Sequence, residues 1–164
     1  MVKPVNIIAA CAENLVIGKE GKLPWRIEED WRYFCEQTRG GALIMGRVTF
    51  ENIPTARVLL KGRAIVVITK KTALAKKGVT VVATLPEAIE AAQKLPGPIW
   101  ICGGEKIYAE ALPLAHRLYV TLVHARVKGD TFFPEWRRLF TKVISEKLSG
   151  DKNFRYTFYI LEKA

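Results

Sequence analysis

The sequence predicts an α/β fold: a single-domain, mainly parallel twisted sheet flanked by helices, with a C-terminal antiparallel hairpin. Three observations carry the prediction. Short apolar runs recur along the chain, as in strands buried on both faces. Amphipathic helical patterns separate them, which favours parallel strands joined by helical crossovers. Near the C-terminus the pattern changes to two strand-like stretches around a Ser-Gly-Asp-Lys-Asn turn.

Each element has its own justification. Residues 5–12 form the first apolar run, and similar runs follow at 42–45, 64–69, 79–83, 99–102 and 118–123. Helical patterns occupy 27–38, 49–53, 86–95 and 105–112. The third begins at Pro86 and stops at Leu95-Pro96-Gly97, the expected helix punctuation. Residues 142–148 and 154–161 read as the hairpin, with Phe154, Tyr156, Phe158 and Ile160 on one face of the second strand. No repeat or interdomain linker interrupts residues 1–164, so one domain is expected.

Composition excludes several classes. No apolar run approaches the roughly 20 residues that span a bilayer, so no membrane association is expected. Ile8-Ala9-Ala10-Cys11 has the look of a lipoprotein cleavage box, but the residues before it are too few and too polar for a signal peptide. The three cysteines, Cys11, Cys35 and Cys102, are odd in number and lack CxxC or Cys/His spacing, so neither a disulfide framework nor a metal site is expected. Reduced thiols fit a cytoplasmic protein. The net charge is +10, and no acid lies between Glu51 and Glu87, where Arg57, Lys61, Arg63, Lys70, Lys71, Lys76 and Lys77 fall. Such a surface attracts anions. Nucleic acid is not expected, because that stretch has no Phe, Tyr or Trp to stack on bases.

The chemistry concentrates at strand ends. Ile17-Gly18-Lys19-Glu20-Gly21-Lys22-Leu23-Pro24-Trp25 places two glycines around a short loop and a Pro-Trp pair at its exit. A helix opening on Glu28-Glu29-Asp30 follows. Ile27, Trp31, Phe34 and Cys35 form the apolar stripe of that helix, so Glu29 points away and is expected in solvent. Glu28 and Asp30 flank the stripe equally, and helical geometry does not choose between them. Gly103-Gly104 and Met45-Gly46-Arg47-Val48-Thr49 each join a strand to a helix, where glycine lets the backbone approach a phosphate and the helix start offers free N–H groups. Gly62-Arg63 opens another strand, and Gly129-Asp130-Thr131-Phe132-Phe133-Pro134 forms a late turn.

Taken in order over essentially the whole chain, this set resembles the dihydrofolate reductase family. The resemblance implies NADPH-dependent reduction of 7,8-dihydrofolate to tetrahydrofolate, with hydride transfer to pterin C6 and proton delivery to N5. It separates Asp30 from Glu28, through the spacing from Trp25 to Asp30 to Phe34 and through the Thr in Leu118-Tyr119-Val120-Thr121. Asp30 would hold the pterin ring by paired hydrogen bonds, Thr121 would orient it, and Trp25 would position a water. Ile8, Trp31, Phe34 and Ile53 would line the apolar pocket, with Leu60 beside them. Arg63 would grip the carboxylate of the substrate's glutamate tail, although the 53–63 loop is longer than usual and carries Leu59-Leu60-Lys61 where many members have Leu-Pro.

For the cofactor, the same resemblance implies Ala10, Ile17, Gly18, Gly21, Lys22 and Leu23 around the nicotinamide, with residues 18–23 as a lid. Gly46, Arg47, Val48, Thr49, Thr69, Lys70 and Lys106 would face its phosphates, and the cations would favour NADPH over NADH. Cys102, Gly103, Gly104, Glu105, Ile107 and Tyr108 would complete the second glycine turn, whose Gly-Gly peptide is typically cis in the family. Glu105 replaces a glycine found in some bacterial members and is expected to point outward. Asp130 would touch the lid and Thr131 the cofactor. A monomer with small-molecule partners is expected. Two alternatives stay open: a reductase of the same fold acting on a pyrimidine precursor, expected to lack the Trp-to-Asp spacing and the Gly-Arg clamp, and a basic nucleic-acid module.

Overall fold

A computed structural model describes residues 2–52, 61–71 and 79–164. Its strands, in chain order, are β1 (Val5–Ala12), β2 (Val16–Gly18), β3 (Ala42–Gly46), β4 (Ala64–Ile68), β5 (Thr80–Val82), β6 (Ile99–Ile101), β7 (Arg117–Val123), β8 (Thr131–Phe132), β9 (Lys142–Gly150) and β10 (Arg155–Glu162). The helices are α1 (Glu28–Thr38), α2 (Arg47–Asn52), α3 (Leu85–Gln93) and α4 (Glu105–Ala111).

Eight strands form one sheet in the order β5-β4-β3-β6-β1-β7-β10-β9. β5 through β7 run parallel, and β10 and β9 close the sheet as an antiparallel hairpin. This is the expected architecture. Alternation along each strand sends side chains to two cores. Ile7, Ala9, Cys11, Ala42, Ile44 and Val66 pack with residues of α3 and α4 on one face. Ile8, Leu43, Met45, Ile65, Val67 and Trp100 face the other way, toward Trp31 and Phe34 of α1 and Phe50 of α2. α3 starts as its sequence prescribes: the Thr84 hydroxyl accepts from the Glu87 N–H at 3.3 Å and donates to the Glu87 carboxylate at 3.0 Å.

Four differences from the sequence reading have physical causes. β2 and β8 pair as a separate two-stranded ribbon, and segments of two or three residues carry no readable period. α2 begins at Arg47, directly at the strand end, rather than at residue 49. β9 extends to Gly150, so Ser149 and Gly150 belong to the ladder rather than to the turn. The alternation of β10 breaks between Ile160 and Leu161, where the register slips against β9. Leu161 consequently joins the buried set.

Candidate active site

The site lies beyond the carboxyl ends of the parallel strands, where an open α/β sheet holds its ligands. One wall is α1. Thr38 is the only residue of this helix that is buried. Trp31 and Phe34 stack with ring centroids 5.6 Å apart and remain half-buried over Ile8. An apolar helix face only partly covered by its own protein is a wall for a flat, apolar-faced ligand.

Asp30 projects from this wall. Its Oδ1 accepts a hydrogen bond from the Thr121 hydroxyl at 2.7 Å. Burial pushes its pKa up to about 6, against the lowering effect of the Thr121 bond, while the Glu29 charge adds to the rise. Helical geometry alone left Glu28 and Asp30 level, and the fold separates them: Glu28 is exposed, 4.0 Å from an exposed Arg26. Trp25 is 7% exposed, and its indole N–H has no acceptor among the described residues. A buried indole donor of that kind calls for a water or ligand partner.

Opposite α1 lie the two glycine turns, drawn tightly together. Gly46 N–H donates to the Gly103 carbonyl at 2.8 Å. A Cβ on Gly46 would stand 3.1 Å from Ile107 Cδ1, and one on Gly104 would stand 3.4 Å from Thr49 Oγ1. Gly103 has φ +113°, and the Gly103-Gly104 peptide is cis, as the resemblance implied. Tyr108 packs beneath Gly103 and donates its hydroxyl to the Ile8 carbonyl at 2.9 Å. α4 starts at Gly104 with no side-chain cap, so its first N–H groups are open. The cradle therefore fits an anionic cofactor: its donors are backbone N–H groups and a hydroxyl, and a Cβ at Gly46 or Gly104 would meet the neighbours that close it.

Glu105, in the first turn of α4, is exposed and turned outward. Its carboxylate accepts from the Phe132 N–H at 2.5 Å, which turns it toward β8 and away from the cradle. Arg47 is tied within its own helix. Its guanidinium pairs with Glu51 one helical turn later, while Val48 beside it is 52% exposed. Thr69 Oγ accepts from Lys71 N–H at 3.1 Å, and Lys70 and Lys106 are exposed.

The lid is a two-residue hairpin. Lys19 and Lys22 exchange backbone hydrogen bonds of 2.8 and 3.0 Å. Glu20 (φ 52°) and Gly21 (φ 81°) form a turn that needs the left-handed region twice. Glu20 N–H donates to Asp130 Oδ2 at 3.0 Å, Asp130 N–H donates to the Gly18 carbonyl at 3.0 Å, and the Thr131 hydroxyl bonds Asp130. A Cβ on Gly21 would come 3.4 Å from Asn52 Nδ2, so the tip reaches over to α2. Leu23, 59% exposed, follows the turn, and Ile17 and Ala10 line its base half-buried. Asn52 and its approach to the lid had no sequence signal.

Arg63 closes the far end of the cleft. Its Nε donates to Thr38 Oγ1 at 3.0 Å, one terminal nitrogen donates to the Cys35 carbonyl, and the other to the Lys61 carbonyl at 3.2 Å. Cys102, half-buried at the end of β6, donates its N–H to the Ile44 carbonyl. Ile53 and Leu60, like Arg57, lie outside the described residues. Glu29 contradicts its sequence reading outright. It is half-buried, and it accepts from Ser149 Oγ at 2.6 Å and from the Tyr156 hydroxyl at 2.8 Å. At Glu29 the side of α1 opposite the stripe meets the β9–β10 hairpin, while Arg32 and Glu36 farther along stay exposed.

An acid in an apolar wall, together with an anion cradle at the carboxyl ends of one parallel sheet, suits an enzyme that holds an anionic cofactor beside a flat substrate. Comparison narrows the class. A family model described as dihydrofolate reductase matches residues 4–163. The dihydrofolate reductase of Neisseria gonorrhoeae is 39% identical over 156 residues, covering 94% of both chains. That of Bacillus subtilis is 34% identical, covering 97% of this chain and 94% of its own. A solved Enterococcus faecalis dihydrofolate reductase, complexed with NADP(H) and RAB-propyl, superposes with a TM-score of 0.83 at 29% identity, over 98% of this chain and 96% of that one. The chain belongs to the dihydrofolate reductase family, whose members are NADPH-dependent oxidoreductases.

Proposed function

We propose that this chain, as one domain over residues 1–164, reduces 7,8-dihydrofolate to tetrahydrofolate with NADPH. The observation that carries the reading is the half-buried Asp30, bonded to Thr121 and protonatable near pH 6 in an otherwise apolar wall. The chemistry supplied by bound NADPH is a hydride, received at pterin C6.

The chain's own residues bind, orient and move a proton. Gly46, Arg47, Val48, Thr49, Thr69, Lys70, Gly103, Gly104, Lys106 and Ile107 would hold the phosphates and ribose, with Glu105 kept clear by Phe132. Ala10, Ile17, Gly18, Gly21, Lys22, Leu23, Cys102, Tyr108 and Thr131 would enclose the nicotinamide. Ile8, Trp31, Phe34, Ile53 and Leu60 would sandwich the pterin, and Arg63 would pair with the tail carboxylate through its free N–H groups. Asp30, oriented by Thr121, holds the pterin amino and ring nitrogens; in its protonated form it is the proton source for N5 by way of a water on Trp25. The lid excludes bulk water, which protects the hydride and strengthens each polar contact beneath it.

The enzyme acts as a cytoplasmic monomer in this reading. None of its described helices is long and apolar enough to cross a membrane. The test is loss of NADPH absorbance on adding dihydrofolate, repeated with NADH. Turnover is expected with both, with kcat/KM at least about tenfold higher for NADPH because a 2′-phosphate pairs with Arg and Lys. No absorbance loss with either cofactor would overturn the proposal.

A further inference from the structure

The three acids that open α1 have three separate environments. Glu28 is exposed and Asp30 turns to Thr121, while Glu29 is held from the opposite side by the β9–β10 hairpin. Both of its hydrogen bonds converge on Oε1. One donor is the hydroxyl of Tyr156, whose buried ring packs against Phe158 at 5.5 Å; Phe158 in turn meets Tyr33 of α1 at 4.4 Å. The carboxylate is therefore fixed, unlike an ordinary first-turn acid that samples several rotamers in water. Besides the Thr121 bond to Asp30, the helix has little polar anchorage at this end. Its N-cap is Ile27, which has no side-chain cap bond, and its apolar face is the open wall of the cleft.

We propose that Glu29 is a positioning residue for Asp30: its anchored carboxylate docks the first turn of α1 onto the hairpin and fixes a negative charge one residue from the acid. The proposal rests on Asp30 being the proton-holding group of the site. A fixed neighbouring charge opposes ionisation of Asp30 and so keeps it protonated to higher pH.

The surrounding groups are consistent with that role. Around Glu29 lie Ser149 and Lys147 of β9, Tyr156 of β10 and Arg32 of α1; the Ser149 bond above all holds its carboxyl below the usual range, against the effect of burial. Glu29 thus stays ionised while Asp30 titrates. Around Asp30 lie Thr121 of β7, Tyr33 of α1 and Tyr108 of α4, whose phenols burial pushes up and keeps neutral. Among the described residues, Glu29 is the charge that acts on Asp30.

The experiment compares the intact protein with Glu29→Gln, which keeps an acceptor of the same shape and removes the charge. The Asp30 carboxyl is titrated by carbon-13 NMR without ligands, and kcat/KM is measured against pH. The Asp30 midpoint is expected to fall by about 0.3 pH unit, with kcat/KM reduced about twofold above pH 7 and unchanged below pH 5. Tyr156→Phe, which removes one of the two donors to the carboxylate while keeping the ring, should move the midpoint the same way by less. A lower kcat/KM at every pH with an unchanged midpoint, in either variant, would overturn the proposal. Failure of the premise is separate: it would appear as full activity in Asp30→Asn, whatever Glu29 does.

Discussion

Thr121 donates its hydroxyl to Asp30 at 2.7 Å, joining the middle of the sheet to the first turn of α1 across a sequence separation of 91. The bond favours the ionised carboxylate, whereas burial favours the protonated one, and burial is the larger effect. Removing the hydroxyl while keeping shape should let burial act alone. In Thr121→Val the inflection in kcat/KM is expected above pH 6, and the low-pH plateau about tenfold lower because Asp30 loses its orientation. An unchanged inflection would mean that another group titrates.

Asp30 also bears on stability, in the same pH direction as its use in the reaction. Its folded pKa of about 6 exceeds the ordinary aspartate value of 3.8, so the native state holds the proton more tightly than the unfolded chain does. Stability is then full below about pH 4 and falls as pH rises toward and through 6. Because the side chain is only half-buried, the loss is about 1–2 kcal/mol, less than the full shift implies. Asp30→Asn should raise the Tm at pH 8 by about 2–6 °C and leave it unchanged at pH 4. The same variant should lower turnover by on the order of 10²-fold at neutral pH, with Glu28→Gln nearly silent as the control.

Arg63 uses the fork geometry of its guanidinium to tie Thr38, the Cys35 carbonyl and the Lys61 carbonyl together at the C-terminal end of α1. Lysine offers one ammonium and cannot span three acceptors spread around a plane. Arg63→Lys is therefore expected to raise the KM for dihydrofolate by about tenfold or more while changing kcat little. Folate truncated of its glutamate tail should remove the difference between the two proteins. Equal KM values for the full substrate would exclude the clamp.

Much of the fold and half of the site could be read from the chain. Runs such as 42–45 and 99–102 are apolar on both faces because both faces are covered, and the glycines that follow them, Gly46 and Gly103-Gly104, stand out against them. What could not be read are relations between distant segments. Glu29 looked solvated because helical periodicity describes one helix and its stripe, not the hairpin that arrives 120 residues later with Ser149. Glu105 looked like an acid too near a phosphate because nothing local announces the Phe132 N–H that turns it aside. Arg47 has Glu51 at helical spacing, a pairing that periodicity alone could have suggested.

The Glu105 contact yields its own prediction. If the carboxylate is held by β8 and kept out of the cradle, deleting it should disturb β8 more than cofactor binding. Glu105→Ala is expected to speed amide exchange at Phe132 by about tenfold, and to leave the NADPH dissociation constant within about threefold. A large gain in NADPH affinity would instead place the charge inside the cradle.

The lid depends on close approach at Gly129. A Cβ there would stand 2.3 Å from Val16 Cγ1 and 2.6 Å from the Gly18 carbonyl oxygen, which also accepts from Asp130 N–H. The second of these neighbours is backbone, so β2 itself must move. That shift separates Gly18 from Asp130 and with it Glu20 from the Asp130 carboxylate. Gly129→Ala should cost about 1–3 kcal/mol of stability and, by loosening the lid, slow turnover. Gly18→Ala is the milder comparison, since its nearest neighbour is the Thr131 hydroxyl at 3.1 Å, on a side chain that can rotate. Thermal unfolding and turnover of both variants decide the matter: a Gly129→Ala protein as stable and as fast as the parent would mean that β2 and its lid tolerate displacement.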